Sequence, residues 1–131
     1  MNILVGYDGS NAAKDALKLA KNYAKAFDAK IIVVKSVTSH HPLDPGIFQA
    51  ADEKLEREIQ NQLNGDITGY ETRLLVSSRS SGENLVWFAA QSNVSEIIIG
   101  VRKRSKVGKL LLGSTAQYVV LHAPCPVITI K

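Results

Sequence analysis

Short apolar runs alternate with longer stretches of helical periodicity along the whole chain. The runs predict strands at 3–7, 30–37, 71–76, 96–100 and 126–131. Apolar residues spaced three and four apart predict four helices, one from the turn at 8–10 to residue 27 and others at 47–63, 83–91 and 114–122. Strands and helices therefore alternate from one end of the chain to the other.

This alternation is typical of α/β domains with a parallel sheet covered by helices on both faces. The run at 96–100 is the most apolar and is expected in the interior of the sheet, whereas 71–76 alternates more and is expected nearer an edge. In such folds, ligands bind beyond the carboxyl ends of the strands. A flavodoxin-like strand order would bring the ends of the first and fourth strands, at Asp8 and Gly100, to one crevice.

Composition narrows the class of protein. The chain has 131 residues, so we expect a single domain over 1–131. Its net charge of +4 is small and lies mostly in one segment, whereas a DNA-binding protein would need a basic face, so no nucleic-acid partner is expected. No apolar run is long enough to span a membrane, and no signal peptide is evident. Cys125 is the only cysteine, which excludes an intrachain disulfide and favours a reducing, cytoplasmic location.

The segment from Gly100 to Ser114 carries five cations and no acidic residue. Gly113 and Ser114 stand at the start of a predicted helix, where free backbone N–H groups and the helix dipole favour an anion. The segment therefore suggests a polyphosphate site, with a solvated basic loop as the alternative. The five cations are Arg102, Lys103, Arg104, Lys106 and Lys109.

Spacing argues against several other chemistries. Leu110 follows Gly108-Lys109, so the P-loop pattern fails, and no G-x-G-x-x-G follows the first strand. Asp8 stands alone where a phosphoacceptor receiver domain would need clustered acids. The histidines are too scattered to suggest a zinc site or a catalytic triad; they are His40, His41 and His122.

The opening block Ile3–Ser10, the turn Ser81-Gly82-Glu83, the segment from Ile97 to Ser114 and the closing block Ala123–Ile130 together resemble the universal stress protein family. The resemblance covers essentially the whole chain. It implies a flavodoxin-like, Rossmann-like three-layer sandwich with a five-stranded parallel sheet, four helices and strand order 3-2-1-4-5. It also implies a homodimer formed through the last strand, Val127–Ile130, whose unpaired edge invites another chain.

The nucleotide-binding branch of that family carries G-x-x-G-x9-G-[ST], which holds the ribose and phosphates of ATP. On this sequence the first glycine is Gly100 and the closing pair is Gly113-Ser114, but Lys103 stands at the middle glycine. A lysine has a Cβ and a long charged stem where glycine would allow close backbone approach. Either Lys103 points outward and its ammonium assists the phosphates, or the loop moves and the site weakens or takes another ligand.

The resemblance also implies roles for individual residues. Asp8 would lie near the base, the phosphates or a divalent ion, or else brace its turn or cap the first helix. Val37 would offer backbone groups to adenine, or be an ordinary strand-end residue. Ser114 and Thr115 would donate hydrogen bonds from their hydroxyl groups to phosphate. For Ser114 the alternative, capping the last helix, is preferred. The full implied set is Tyr7, Asp8, Val37, Gly100, Arg102, Lys103, Arg104, Gly113, Ser114 and Thr115.

The expected ligand is ATP, or AMP or ADP, with Mg²⁺ arriving on the phosphates because few carboxylates lie near the site. No metal site of the protein's own and no catalytic residue can be named, so the chain is not expected to be an enzyme beyond slow ATP hydrolysis. A regulatory or stress role through unidentified protein partners is implied. The alternatives are a nucleotide-free dimeric scaffold whose basic loop docks partner proteins and, with less support, a receptor for AMP or a cyclic nucleotide.

Overall fold

The computed structural model describes residues 1–67, 69–101, 103–104 and 110–131, with 103–104 and 110–111 described by their backbone alone. No helix in these ranges is both long and apolar enough to cross a membrane. The elements in chain order are β1 (Asn2–Gly6), α1 (Asn11–Phe27), β2 (Lys30–Thr38), α2 (Pro45–Leu63), β3 (Tyr70–Ser77), α3 (Ser81–Gln91), β4 (Glu96–Gly100), β5 (Lys103–Arg104), β6 (Leu110–Leu111), α4 (Ser114–His122) and β7 (Val127–Ile130).

Within the described residues, the main sheet has five strands in the order β3-β2-β1-β4-β7. Every neighbouring pair in it is parallel. Because β7 is the fifth strand predicted from the sequence, this order confirms the predicted arrangement 3-2-1-4-5. β4 is interior and β3 lies at an edge, as their apolar patterns indicate.

The two faces of the sheet bury separate sets of side chains because successive residues of a strand point to opposite sides. On β1, Ile3 and Val5 pack with buried residues of α1 and α2. Leu4, between them, packs with buried residues of α3 and α4. The helices therefore cover both faces, which explains why the inner strands are apolar at consecutive positions.

Two helices begin earlier than predicted. α2 begins at Pro45 rather than Ile47, because the Asp44 side chain accepts a hydrogen bond from the Gly46 N–H and proline suits the first helical position. α3 begins at Ser81 rather than Glu83, because Ser80 and Glu83 form a reciprocal capping box. Turn residues thus serve as helix starts in both cases.

The segment after β4 was expected to be a loop, but the structure contains a short antiparallel pair there. Lys103 pairs with Leu111 and Arg104 with Leu110. Residues 105–109 between these strands lie outside the described residues.

Candidate nucleotide site

A cavity of about 510 Å³ opens at the carboxyl edge of the sheet, above the ends of β1, β2 and β4. Its volume is in the range of small-molecule sites, roughly 300–1,000 Å³. We call it the carboxyl-edge cavity. Its described lining consists of Gly6, Tyr7, Asp8, Ser10, Ala13, Val34, Ser36, Ser81, Leu85, Ile99, Gly100, Gly113, Ser114, Thr115 and Ala116. The structure therefore brings the N-terminal turn and the Gly113 segment to one crevice, as the strand order predicts.

The turn after β1 is held by its own side chains. The Ser10 N–H donates to Asp8 Oδ1 at 3.0 Å, and the Ser10 hydroxyl accepts from the Ala13 N–H at 3.2 Å. Ser10 is thus the N-cap of α1, and Asp8 braces the turn. Gly9 has φ of 82°, a conformation that favours glycine. Asp8 also lines the cavity as a carboxylate, so bracing does not remove it from the candidate site.

Tyr7 lines the cavity but is only 3% exposed, and it belongs to the core shared with α1 and α2. Burial, the negative charges of Glu58 and Asp8, and a hydrogen bond to Glu58 raise the pKa of Tyr7 above its ordinary value of 10.0. The phenol is therefore protonated at neutral pH. Tyr7 also forms a hydrogen bond with Glu58 on α2, so it links the wall of the cavity to that helix.

The N-terminus of α4 has no side-chain cap. Gly113 is the N-cap residue, and among the described residues no side chain caps the first N–H groups of the helix. The expectation that Ser114 caps this helix is therefore wrong: Ser114 is already the first helical residue, one position too late to cap. The N–H groups of the first turn belong to Ser114, Thr115 and Ala116, which line the cavity, and they have no side-chain acceptor in the part of the chain that the structure describes.

The two glycines of the predicted motif have different structural reasons. A Cβ on Gly100 would lie 2.3 Å from the carbonyl oxygen of Ala12 on α1, whereas a Cβ on Gly113 would meet no described atom within 4 Å. Gly100 is thus required by the close packing of α1 on β4. Gly113 lines the cavity, and no packing contact among the described residues requires a glycine there.

Val37 is not brought to the cavity. Its side chain packs against the core on the opposite face of the sheet, and Val34 and Ser36 line the cavity from the same strand. The reason is the strand period of two: residues 32, 34 and 36 share one face of β2, and Val37 belongs to the other. A role for Val37 in binding through its backbone stays a prediction.

Several lining residues are not predicted from the sequence. Ser36 follows the apolar run 31–34 of β2, and the polar pair Lys35-Ser36 that ends this run is the signal in the sequence. Ser81 was assigned to a turn, and Leu85 was assigned to a helix without a link to the site. Only the folded chain shows that α3 contributes one wall of the cavity.

Part of the predicted basic site falls outside the described structure. Arg102, Lys106 and Lys109 lie outside the described residues, and Lys103 and Arg104 are described as the strand β5 through their backbone alone. Their roles toward phosphate stay predictions. Within the described residues, no three histidine, cysteine, aspartate or glutamate side chains are grouped to hold a metal ion.

Comparison with known proteins identifies close relatives of this fold. The model of the "Universal stress protein family" matches residues 1–131. A Thermus aquaticus protein named as a universal stress protein in the QAH/OAS sulfhydrylase 3′ region is 34% identical, over 98% of this chain and 97% of the relative.

Two solved structures of universal stress proteins from Archaeoglobus fulgidus superpose over the whole chain. The first is 32% identical with a TM-score of 0.82, and covers 100% of this chain and 98% of its own. The second, solved in complex with dAMP, is 28% identical with a TM-score of 0.79 and the same two coverages. Both sequence and structure therefore relate the chain to one family along its full length.

Proposed function

The chain belongs to the universal stress protein family, and from that premise we propose that it binds an adenine nucleotide, ATP, in the carboxyl-edge cavity and has a regulatory or stress-response role. The observation that supports this proposal best is the start of α4. Among the described residues this helix N-terminus has no side-chain cap, a Cβ on Gly113 would meet no atom within 4 Å, and its first turn lines a ligand-sized cavity.

The phosphates are assigned to the α4 side of the cavity. Uncapped N–H groups at a helix start and the positive end of the helix dipole attract an anion. Ser114 and Thr115 add hydroxyl groups on the same wall. The five cations between Gly100 and Gly113 supply positive charge in the adjoining sequence. This arrangement supports a ligand with several phosphates.

The base is assigned to the opposite side, near the end of β2. Val34 of β2 and Leu85 of α3 give this part of the cavity apolar walls, and Ser36 adds one polar group. A flat aromatic base suits such a mixture of apolar surface and few polar groups. The dAMP complex of the 28% identical Archaeoglobus fulgidus relative supports adenine as the base.

No catalytic activity beyond slow ATP hydrolysis is proposed. Asp8 is the one carboxylate in the described lining, and it already braces its turn. A lone carboxylate does not make a dedicated magnesium cage, so Mg²⁺ would arrive on the phosphates. The nucleotide would then act as a signal that changes the affinity for partner proteins in the cytoplasm.

A homodimer through β7 is proposed alongside nucleotide binding. β7 is an edge strand of the sheet, and an unpaired edge can pair with a second copy. α4, which precedes it, exposes Val120 and Leu121, the latter 69% exposed. Apolar surface beside an open edge supports an interface there.

The direct test is to denature the purified protein and identify any released ligand by mass spectrometry. Calorimetric titration of ligand-free protein with ATP and Mg²⁺ follows. An adenine nucleotide released, or a saturable ATP isotherm, is expected. If nothing is released and no heat is measured at millimolar ATP, the nucleotide proposal fails and the dimeric scaffold is favoured.

Gly113→Val is expected to reduce ATP affinity by at least tenfold because the new side chain projects into the open space beside the α4 N-terminus. Its φ of −64° and ψ of 164° suit valine, so the fold should be retained. Calorimetry measures the affinity and circular dichroism the fold. Gly69→Val is the matched control, at an equally open glycine outside the cavity lining. Equal affinities for the two variants would remove the site from α4.

A further inference from the structure

Asn84 on α3 is the buried polar side chain of the described chain, at 1% exposed. It lies between the carboxyl ends of two strands. Its Oδ1 accepts from the Ser77 hydroxyl of β3 at 2.8 Å, and its Nδ2 donates to Ser36 Oγ of β2 at 2.6 Å. A buried amide must have its hydrogen bonds satisfied, and these two contacts satisfy both of its ends.

A backbone N–H group fixes which groups donate and which accept in this series of hydrogen bonds. The Arg79 N–H can only donate, and it donates to Ser77 Oγ at 3.1 Å. The Ser77 hydroxyl then donates its own hydrogen to Asn84 Oδ1, which turns the Asn84 NH₂ group toward Ser36. Each hydroxyl or amide group in the series thus accepts from the group before it and donates to the next, from the turn after β3 to the wall of the cavity. We call this series the relay.

Ser36 ends this relay as a donor. Its oxygen accepts from Asn84, so its hydroxyl hydrogen is left to donate, and within the described ranges no protein acceptor receives it. Ser36 lines the carboxyl-edge cavity next to Val34 and on the same face of β2. The hydrogen is therefore available to a ligand in the cavity.

We infer that Ser36 is a specificity-determining hydrogen-bond donor that binds an unprotonated ring nitrogen of the ligand's base, and that Asn84 is the positioning residue that fixes its direction. The inference rests on the proposed nucleotide function and adds the group by which the base is recognised. A fixed donor discriminates strongly between an acceptor nitrogen and a C–H or N–H at the same place, since the mismatch leaves a desolvated polar group unpaired.

The test uses AMP and its 1-deaza, 3-deaza and 7-deaza analogues, each of which replaces one ring nitrogen by C–H. Calorimetric titration of the wild-type protein should show one analogue bound about tenfold more weakly than AMP, the loss expected for one hydrogen bond to a ligand. In Ser36→Ala the affinity for AMP should fall to that of this analogue, and the difference between the two ligands should vanish. Ser78→Ala, an exposed serine of the neighbouring turn outside the relay, should keep the wild-type difference.

Asn84→Asp tests the positioning role. A carboxylate of the same shape can accept from both Ser36 and Ser77, so Ser36 would donate to it and no longer to the ligand. The ratio of AMP to analogue affinity should fall to about one, whereas a merely structural role would weaken both ligands together. If Asn84→Asp does not fold, Ser77→Ala replaces it, because it removes the hydroxyl group that orients the amide. The ratio of AMP to analogue affinity should fall in this variant as well. A wild-type ratio in Ser77→Ala overturns the positioning role.

The outcomes separate the two proposals. If the wild-type protein binds neither AMP nor ATP, the nucleotide function fails and the inference fails with it. If it binds AMP and all three analogues equally, or if Ser36→Ala keeps the wild-type difference, the nucleotide function stands and the donor role of Ser36 is overturned.

Discussion

Gly100 and Gly113 belong to one sequence motif, but the structure separates their roles at the level of single atoms. Gly100 lets the backbone of α1 pass close to β4, whereas a Cβ on Gly113, at the N-terminus of α4, would meet no atom of the described residues within 4 Å. A motif residue can therefore be required for packing rather than for the ligand. If both glycines were mutated and only the loss of ligand binding were measured, a loss of packing at Gly100 could not be distinguished from a direct effect on the ligand at Gly113.

Gly100→Ala is expected to destabilise the protein by about 1–3 kcal/mol, because its Cβ would lie 2.3 Å from the Ala12 carbonyl oxygen and backbone must shift to relieve the clash. Urea unfolding measures the change in the free energy of unfolding. Gly69→Ala, where a Cβ meets nothing within 4 Å, is the control and should change it by less than about 0.5 kcal/mol. Equal stabilities would contradict the packing role of Gly100.

Tyr7 gives a prediction for alkaline pH. Its pKa is raised in the folded protein, by burial first and then by Glu58 and Asp8, so the folded state keeps a proton that the unfolded state releases. This contribution to stability is fully present below about pH 10 and is lost as the pH rises through the folded pKa.

Tyr7→Phe should therefore make the free energy of unfolding fall less steeply above about pH 10 than it does in the wild type. Urea unfolding at a series of pH values gives the slopes. Glu58→Gln should reduce the slope in part, because it removes one of the causes that raise the pKa of Tyr7. Parallel wild-type and Tyr7→Phe curves would show that Tyr7 does not carry the effect.

At the scale of elements, α4 differs from the other helices in how it begins. α1, α2 and α3 are capped by the side chains of Ser10, Asp44 and Ser80. α4 begins at Gly113 without such a bond, and its first turn lines the carboxyl-edge cavity. The helix that is left uncapped is thus one that a bound anion could cap, which links local helix stability to ligand binding.

Gly113→Asp should separate helix stability from binding. An aspartate at the N-cap position accepts from the first N–H groups of α4 and complements the helix dipole, so the free energy of unfolding should stay equal or rise by a few tenths of a kcal/mol. The same carboxylate competes with and repels phosphates, so ATP affinity should fall more than tenfold. Urea unfolding and calorimetry measure the two effects. Unchanged ATP affinity would contradict an anion at this helix start.

For the fold as a unit, β7 is the edge strand through which copies of the chain are proposed to associate. The Ile97 N–H donates to the Pro126 carbonyl and the Val101 N–H to the Ile130 carbonyl. In a parallel ladder alternate residues bond to the same neighbour, so the backbone groups of Val127 and Thr129 point to the open edge. These are the groups that would pair with a second copy.

Thr129→Pro should therefore convert the proposed dimer to a monomer. Proline removes the outward N–H of an edge strand and leaves the bonds between β7 and β4 in place. Sedimentation equilibrium measures the oligomeric state, and circular dichroism checks the fold. Thr129→Ala keeps the N–H and should keep the dimer. A dimer that persists in Thr129→Pro would place the interface elsewhere.

Sequence periodicity predicted the fold because each strand and helix carries its own apolar pattern. Interior strands such as β4 are continuous apolar runs, and α1 shows apolar residues at three and four spacing, so element type and order could be read locally. The boundaries of α2 and α3 were less certain, because Asp44-Pro45 and Ser80-Ser81 serve equally well in turns and at helix starts.

The alternation of strands and helices, the family resemblance and the segment that begins α4 follow from the sequence alone, since they depend on residues close together in the chain. Three features follow only from the three-dimensional packing: Ser36 rather than Val37 faces the cavity, Ser114 does not cap α4, and Asn84 joins β2 to β3. The physical reason is distance along the chain: the contact between Ser36 and Asn84 spans 48 residues, and only packing α3 on the sheet brings the two side chains within hydrogen-bond reach.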